Sequence, residues 1–333
     1  MFKIYKLLFL ISMMIGTLIA ISSYSWLGMW MGLEINLLSI IPLMTNPKNM
    51  MNNEAALKYF ITQALASTIF LFTIIVLSSN IFKSWEQSFN LIFNSSLLTK
   101  MGAAPFHFWF PEVMEGLNWS NCLLLLTWQK IAPMILIMYN NMMMFFSIII
   151  MFSMMISGIM GINQLSLRKI LAYSSINHIG WMLSSMMFME SIWMIYFIIY
   201  SLISINIIMI LKKFNIFLLK QIFNVMNNNP MFKMFFIMNF LSLGGLPPFL
   251  GFFPKWITIQ MMIENKLIIL SIIMVIMTLM TLYFYIRITF STLMINMNEM
   301  NYHYKQKNNW MLNILNFLSL IGLLFVTLIF NFN

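Results

Sequence analysis

Glu34, Lys100, Lys130 and Lys255 each stand inside a long apolar run of the sequence, and a run of about 20 such residues is what a helix needs to cross a bilayer. A charge at the middle of such a helix costs roughly 2.5–3.5 kcal/mol on the insertion scale. Residues three and four apart are the neighbours that meet on a helix; for Glu34 these are Trp30, Met31, Leu37 and Leu38, and for Lys100 and Lys130 they include no acid. Partners must therefore come from other helices. One carboxylate cannot pair with three lysines at once, and a lysine without a carboxylate partner can give up and regain its proton. Such a set suits proton relay. The alternative, a static ion pair with lysines reaching out to the interface, fits Lys255 but neither Glu34 nor Lys130. His107 and His178 are weaker candidates: an intramembrane histidine can bridge waters or hydrogen-bond a neighbouring helix. Ser174, Ser175 and Asn177, beside His178, read more readily as helix-packing hydrogen-bond donors.

The composition says what must position these groups. The 333 residues are 61% hydrophobic and 8% charged, with mean hydropathy +0.88, whereas soluble domains carry roughly a quarter charged residues. A water-soluble fold is excluded, and the apolar runs leave no room for a soluble domain. Cys122 is the single cysteine, so no internal disulfide and no thiolate set for zinc or an iron–sulfur cluster can form. The histidines, His107, His178 and His303, are too few for paired bis-histidine haems. Any redox cofactor sits on a partner. The start, Met-Phe-Lys-Ile-Tyr-Lys, enters an apolar run without a cleavage site or an Arg- and Ser-rich presequence, and reads as a retained first helix. Abundant Met, Phe, Ile and Asn with no Asp hints at an organelle genome.

The spans expected are 4–22, 24–44, 56–78, 88–116, 119–139, 142–162, 168–188, 191–212, 231–263, 267–290 and 311–331. The fold class is thus an all-α polytopic membrane protein of about eleven crossings. In that threading every lysine and arginine outside the span interiors falls on the N-terminal side except Lys83 and Lys266. Positive charge marks the non-translocated side, which places the N-terminus inside. The net charge of +10 follows from this bias, with attraction to anionic lipid as a secondary effect; no basic face for nucleic acid exists. Residues 88–116 and 231–263 are too long for one straight crossing and hold internal Gly and Pro. Within them Gly102-Ala-Ala-Pro105-Phe106-His-Phe-Trp-Phe110-Pro111 aligns without gaps on Gly245-Leu-Pro247-Pro248-Phe249-Leu-Gly-Phe-Phe253-Pro254. As the fourth and ninth helices they define a five-helix unit, and an odd number of crossings inverts its second copy. The expected organisation is a first repeat over 1–140, a second over 141–292, and a loop with a last helix over 293–333. Paired interrupted helices at inverted positions line ion paths in transporters; a single such kink would serve packing alone. Carbonyls freed at the breaks can hold ordered water beside Lys100 and Lys255.

Several stretches carry a resemblance: Trp-Met-Gly-Leu-Glu34-Ile-Asn, Glu54-Ala-Ala-Leu-Lys58-Tyr-Phe-Ile-Thr-Gln63, Lys100-Met-Gly-Ala-Ala-Pro, Thr127-Trp-Gln-Lys130-Ile-Ala-Pro133, Asn-His178-Ile-Gly-Trp, and Leu-Gly-Gly-Leu-Pro-Pro-Phe-Leu-Gly-Phe-Phe-Pro-Lys255-Trp. In order, over residues 10–290, the sequence resembles the antiporter-like membrane subunits of mitochondrial NADH:ubiquinone oxidoreductase, respiratory complex I. The resemblance implies a membrane-arm subunit whose proton path is coupled to quinone reduction elsewhere. Glu34 and Lys100 would be its input pair, Lys130 its central relay and Lys255 its output residue. It also implies that flavin, iron–sulfur clusters and ubiquinone belong to partner subunits, so this chain is part of an enzyme without holding a redox centre. Partners would be other membrane-arm subunits, sister antiporter-like chains among them, and lipids including cardiolipin. The location implied is the mitochondrial inner membrane, N-terminus in the matrix and C-terminus in the intermembrane space. Bacterial relatives carry additional N-terminal helices. Two rival readings remain: a free-standing cation/proton antiporter, and a structural membrane subunit with no proton path.

Overall fold

The computed structural model describes residues 4–79, 83–226 and 230–294 and the separate positions 316, 317 and 322. The expected helix over 311–331 lies outside the described residues apart from those three positions, as does His303. Among the described residues the chain is helical, with no strand beyond a bridge between Ser166 and Leu218.

The chain divides into two compact units, Met1–Phe152 and Ser153–Asn333. The first holds α1 (Ile4–Ser22), α2 (Trp26–Met44), α3 (Met50–Ser79), α4 (Glu86–Met101), α5 (Trp109–Gly116), α6 (Trp119–Leu126), α7 (Trp128–Met138) and the start of α8 (Met143–Ile162). In it α1 packs on α2, α2 on α3, α3 on α4 and α5, and α4 on α7. The α1–α2 contact is close because small residues face each other: a methyl on Gly32 would run into the Ala20 backbone, and one on Gly16 would lie 2.9 Å from Asn36 N. Membrane helices associate through such small-residue faces because lipid supplies no hydrophobic drive.

The second unit holds the rest of α8, then α9 (Leu167–Met186), α10 (Glu190–Phe214), α11 (Leu219–Met226), α12 (Pro230–Gly244), α13 (Phe252–Glu264) and α14 (Ile268–Met294). At its centre is α9, buried without interruption from Ile170 to Met186 and packed on α10, α13 and α14. Its serines return their hydroxyls to carbonyls one turn back, as Ser174 does to Leu171 at 2.8 Å. That lets a helix carrying four serines sit in an apolar interior.

Among the described residues, seven stretches are long and apolar enough to cross a membrane: α1, α2, α3, α6 with α7, α8, α10, and α14 to Leu293. The sequence reading differs from the structure at three places. The third helix begins at Met50 rather than 56, because the polar residues of its first turns extend the helix beyond its apolar part. A short helix, α11, occupies a stretch read as loop. The fifth expected span is divided at Thr127, whose backbone (φ −115°, ψ −74°) ends α6 while its hydroxyl donates to Leu123 O at 2.7 Å. Hydroxyl bonding to the carbonyl four residues back bends helices.

Candidate functional site

Gly102 and Gly245 end α4 and α12 with φ of +76° and +79°, a left-handed conformation that glycine adopts at no side-chain cost. Each closes its helix in the same way. Gly102 N–H donates to Leu98 and Thr99 O and Ala103 N–H to Leu98 O; Gly245 N–H donates to Ser242 O and Leu246 N–H to Leu241 O. Both next helices, α5 and α13, start seven residues further on, at Trp109 and Phe252. Pro105, joined to Ala104 by a cis bond, lies in the first break, and Pro247 and Pro248 lie in the second. The aligned motif thus builds one local geometry twice.

Each of the buried lysines stands beside an interruption. Lys100 is in the last turn of α4, 7% exposed, its amine 5.9 Å from the centre of the Phe70 ring. Lys130 follows Thr127 in α7, 1% exposed, with its amine 5.7 Å from the Phe110 ring centre. Three residues on, Pro133 has no N–H to give the Gln129 carbonyl, so Lys130 lies in helix distorted on both sides. Lys255 opens α13, 7% exposed, and donates to the carbonyls of Gly244 at 2.9 Å and Leu243 at 3.3 Å. These are carbonyls that the end of α12 leaves without helical donors. Its amine is therefore held inward, 5.9 Å from the Trp181 ring centre, rather than reaching for the interface.

Glu34, half-buried on α2, acts electrostatically on Lys100, with no closed ion pair between them among the described residues. His107 sits in the first break, buried, its Nδ1 3.2 Å from Pro105 O. His178 on α9 is buried with Nδ1 2.9 Å from the Tyr196 hydroxyl. Its neighbour Asn177 donates to Thr281 of α14 at 2.7 Å.

Other polar groups of the site have no charge to mark them in the sequence. Asn36 of α2 and Gln129 of α7 exchange reciprocal amide bonds of 3.0 and 2.8 Å. The Tyr59 hydroxyl donates to Gln129 Oε1 at 3.4 Å, and Gln63 Nε2 to Lys100 O at 3.3 Å. Trp109 Nε1 donates to Thr99 O at 3.0 Å, so in the first break an indole from the following helix takes the carbonyl role that Lys255 fills in the second. The position aligned with Lys255 is Glu112, exposed and paired with Lys58 at 2.9 Å; Lys58 also meets Glu54 at 3.0 Å.

Lysines buried at the breaks of an all-helical membrane bundle define a fold of the ion-transporter class. The chain belongs to the NADH:quinone oxidoreductase/Mrp antiporter transmembrane family, which matches residues 23–281, and its sequence relatives include NADH-ubiquinone oxidoreductase chain 2 proteins. It is 51% identical to the one from Anopheles gambiae over 347 aligned residues, covering 98% of each chain. With the one from Aedes aegypti it shares 52% identity over 336, again covering 98% of each. The fold matches a chain in the respiratory complex I of Thermus thermophilus with a TM-score of 0.85 at 21% identity, over 96% of this chain and 79% of that one.

Proposed function

We propose that this chain is a membrane-arm subunit of the proton-pumping NADH:ubiquinone oxidoreductase of the mitochondrial inner membrane, carrying an antiporter-like proton path driven by quinone reduction on other subunits. The observation that carries this reading is the burial of Lys100, Lys130 and Lys255, each beside a helix interruption. A buried amine next to disrupted backbone can change its proton without unfolding a regular helix, because local carbonyls and water take up the change in hydrogen bonding. Glu34 and Lys100 form the input pair, Lys130 the central relay and Lys255 the output residue; His107 and His178 bridge water.

The architecture proposed is about eleven crossings, with a five-helix repeat over 1–140, its inverted copy over 141–292, and a last helix within 293–333. The common closure at Gly102 and Gly245 supports the repeat. The N-terminus faces the matrix and the C-terminus the intermembrane space, a reading supported by the lysine and arginine distribution. Flavin, iron–sulfur clusters and ubiquinone reside on partner subunits. Sister antiporter-like subunits and lipids, cardiolipin included, are its neighbours, and the exposed apolar flank of α1 (Leu7, Ile11, Leu18) suits either.

The test is Lys130→Met in the assembled complex, with assembly checked on a native gel and proton pumping followed alongside NADH oxidation. Intact assembly with pumping and coupled turnover lost supports the relay. Intact assembly with both unchanged refutes it and leaves a scaffold role.

A further inference from the structure

At one end of the first unit, where α3 and α7 finish and α2 and α4 begin, there is a cavity of about 640 Å³. Ligand pockets run to roughly 300–1,000 Å³. Four aromatic residues line it, Trp26, Phe89, Phe93 and Tyr139, together with Glu86, Asn90 and Asn140 and an apolar wall from the end of α3 that includes Ile74.

The charge of this lining runs against that of the chain. The protein carries a formal net charge of +10, but among the described residues that line the cavity Glu86 alone is charged, and it makes no ion pair within the described residues. The helix dipole favours a carboxylate in the first turn of α4; it gives no reason for four aromatic residues on the same cavity. Trp26 stands at 81° to Phe93, with ring centroids 4.8 Å apart, and at 81° to Tyr139, with centroids 6.3 Å apart. Rings set at right angles form walls, whereas a parallel stack covers its own faces. The face of such a ring attracts a cation, and a box of rings is a recognised receptor for quaternary ammonium groups.

Depth in the membrane selects the ligand further. Trp and Tyr favour the headgroup level, and here Trp26 opens α2, Tyr139 caps the end of α7 and Glu86 opens α4. Glu86, Asn90 and Phe93 follow one another at i, i+4 and i+7 on one face of α4, and Phe93, 2% exposed, lies about 10 Å deeper than Glu86 at 1.5 Å rise per residue. Asn140 Nδ2 donates to Asn90 Oδ1 at 3.3 Å, which fixes the Asn90 amide and leaves its N–H groups available to an anion. From the mouth inward the wall therefore offers a carboxylate, an amide donor and hydrocarbon. Ammonium, phosphate and acyl chain occur in that order in a zwitterionic phospholipid.

We propose that this cavity binds one phosphatidylcholine, its trimethylammonium held by Trp26, Tyr139 and Glu86, its phosphate at Asn90, and the upper part of one acyl chain along Phe93 and Ile74. The site is separate from the buried lysines and does not depend on the relay.

The assembled complex is labelled with a photoreactive phosphatidylcholine that carries its diazirine high on one acyl chain, and the labelled peptides are mapped. Label within residues 74–93 is expected, displaced best by unlabelled phosphatidylcholine. Equal displacement by phosphatidylglycerol of the same chains, whose headgroup has no cation, overturns the site, and equal displacement by phosphatidylethanolamine overturns the choline assignment. Trp26→Leu should weaken the labelling about tenfold, and Trp26→Phe should restore most of it; unchanged labelling in Trp26→Leu overturns the proposal. Should Trp26→Leu fail to assemble, Glu86→Gln at an exposed position decides in the same way. Absence of label from these residues in the unsubstituted complex, or a lysine or arginine of a neighbouring subunit seated in the cavity when the complex is imaged, also overturns it. Lys130→Met should leave the labelling unchanged, so failure of the relay and failure of the lipid site are told apart.

Discussion

Substituting Gly245 by alanine should damage the protein more than the same change at Gly102, although both glycines have nearly the same backbone conformation. With φ of +79° and +76°, each alanine incurs the left-handed penalty of about 1–2 kcal/mol. The surroundings then separate them. At Gly102 the new methyl meets Phe110 Cβ at 3.1 Å and Cγ at 3.2 Å, so the ring must give by a few tenths of an ångström. At Gly245 it would lie 2.8 Å from Lys255 Cδ and 2.9 Å from Nζ, which pushes the amine off the Leu243 and Gly244 carbonyls. Each lost bond is worth about 1 kcal/mol, or about 1.5–3 kcal/mol with a charged donor. The expected excess cost at Gly245 is therefore about 2 kcal/mol or more. Thermal unfolding of the assembled complex at a fixed scan rate should rank the unsubstituted protein above Gly102→Ala and that above Gly245→Ala. In a Lys255→Ala background, the Gly245→Ala cost should shrink to its backbone part. Gly102→Ala proving as harmful as Gly245→Ala, or no shrinkage without the lysine, would refute the reasoning.

A methyl on Gly251 would run into the Ser242 carbonyl oxygen, which is backbone and cannot step aside; Gly251→Ala should abolish assembly on a native gel. Asn177→Leu removes the 2.7 Å bond to Thr281 between α9 and α14, and interhelical bonds of this kind are worth about 0.6 kcal/mol on average and about 1.7 at most. A small fall in the unfolding temperature with assembly intact is expected, and loss of the complex would show that the bond does more than join two helices.

The sequence exposed what backbone chemistry marks and hid what it does not. The breaks at Gly102 and Gly245 were legible because glycine and proline have few other uses within an apolar run, and because the motif occurs twice. The break at Thr127 was not, since threonine is ordinary in membrane helices, and the hydroxyl bond to Leu123 O and the missing N–H of Pro133 act together there. The buried lysines were visible as charges in apolar runs, but the partners of Lys255 are carbonyls of its own chain, which no search for a complementary side chain can find. Asn36 and Gln129 lie 93 positions apart and carry no charge. Their pairing depends on α2 and α7 being brought together, which is information held by the packing.

The two breaks, alike in backbone, are braced by different materials. In the first, the indole N–H of Trp109 spans the gap to Thr99 O, and an indole only donates, so that corner is equally stiff whatever protons move nearby. In the second, the brace is the amine of Lys255 itself, and a hydrogen bond from a charged donor is roughly twice as strong as a neutral one. A brace between α12 and α13 that ends in an amine would change strength if that amine exchanged its proton, whereas the indole brace between α4 and α5 has no proton to exchange.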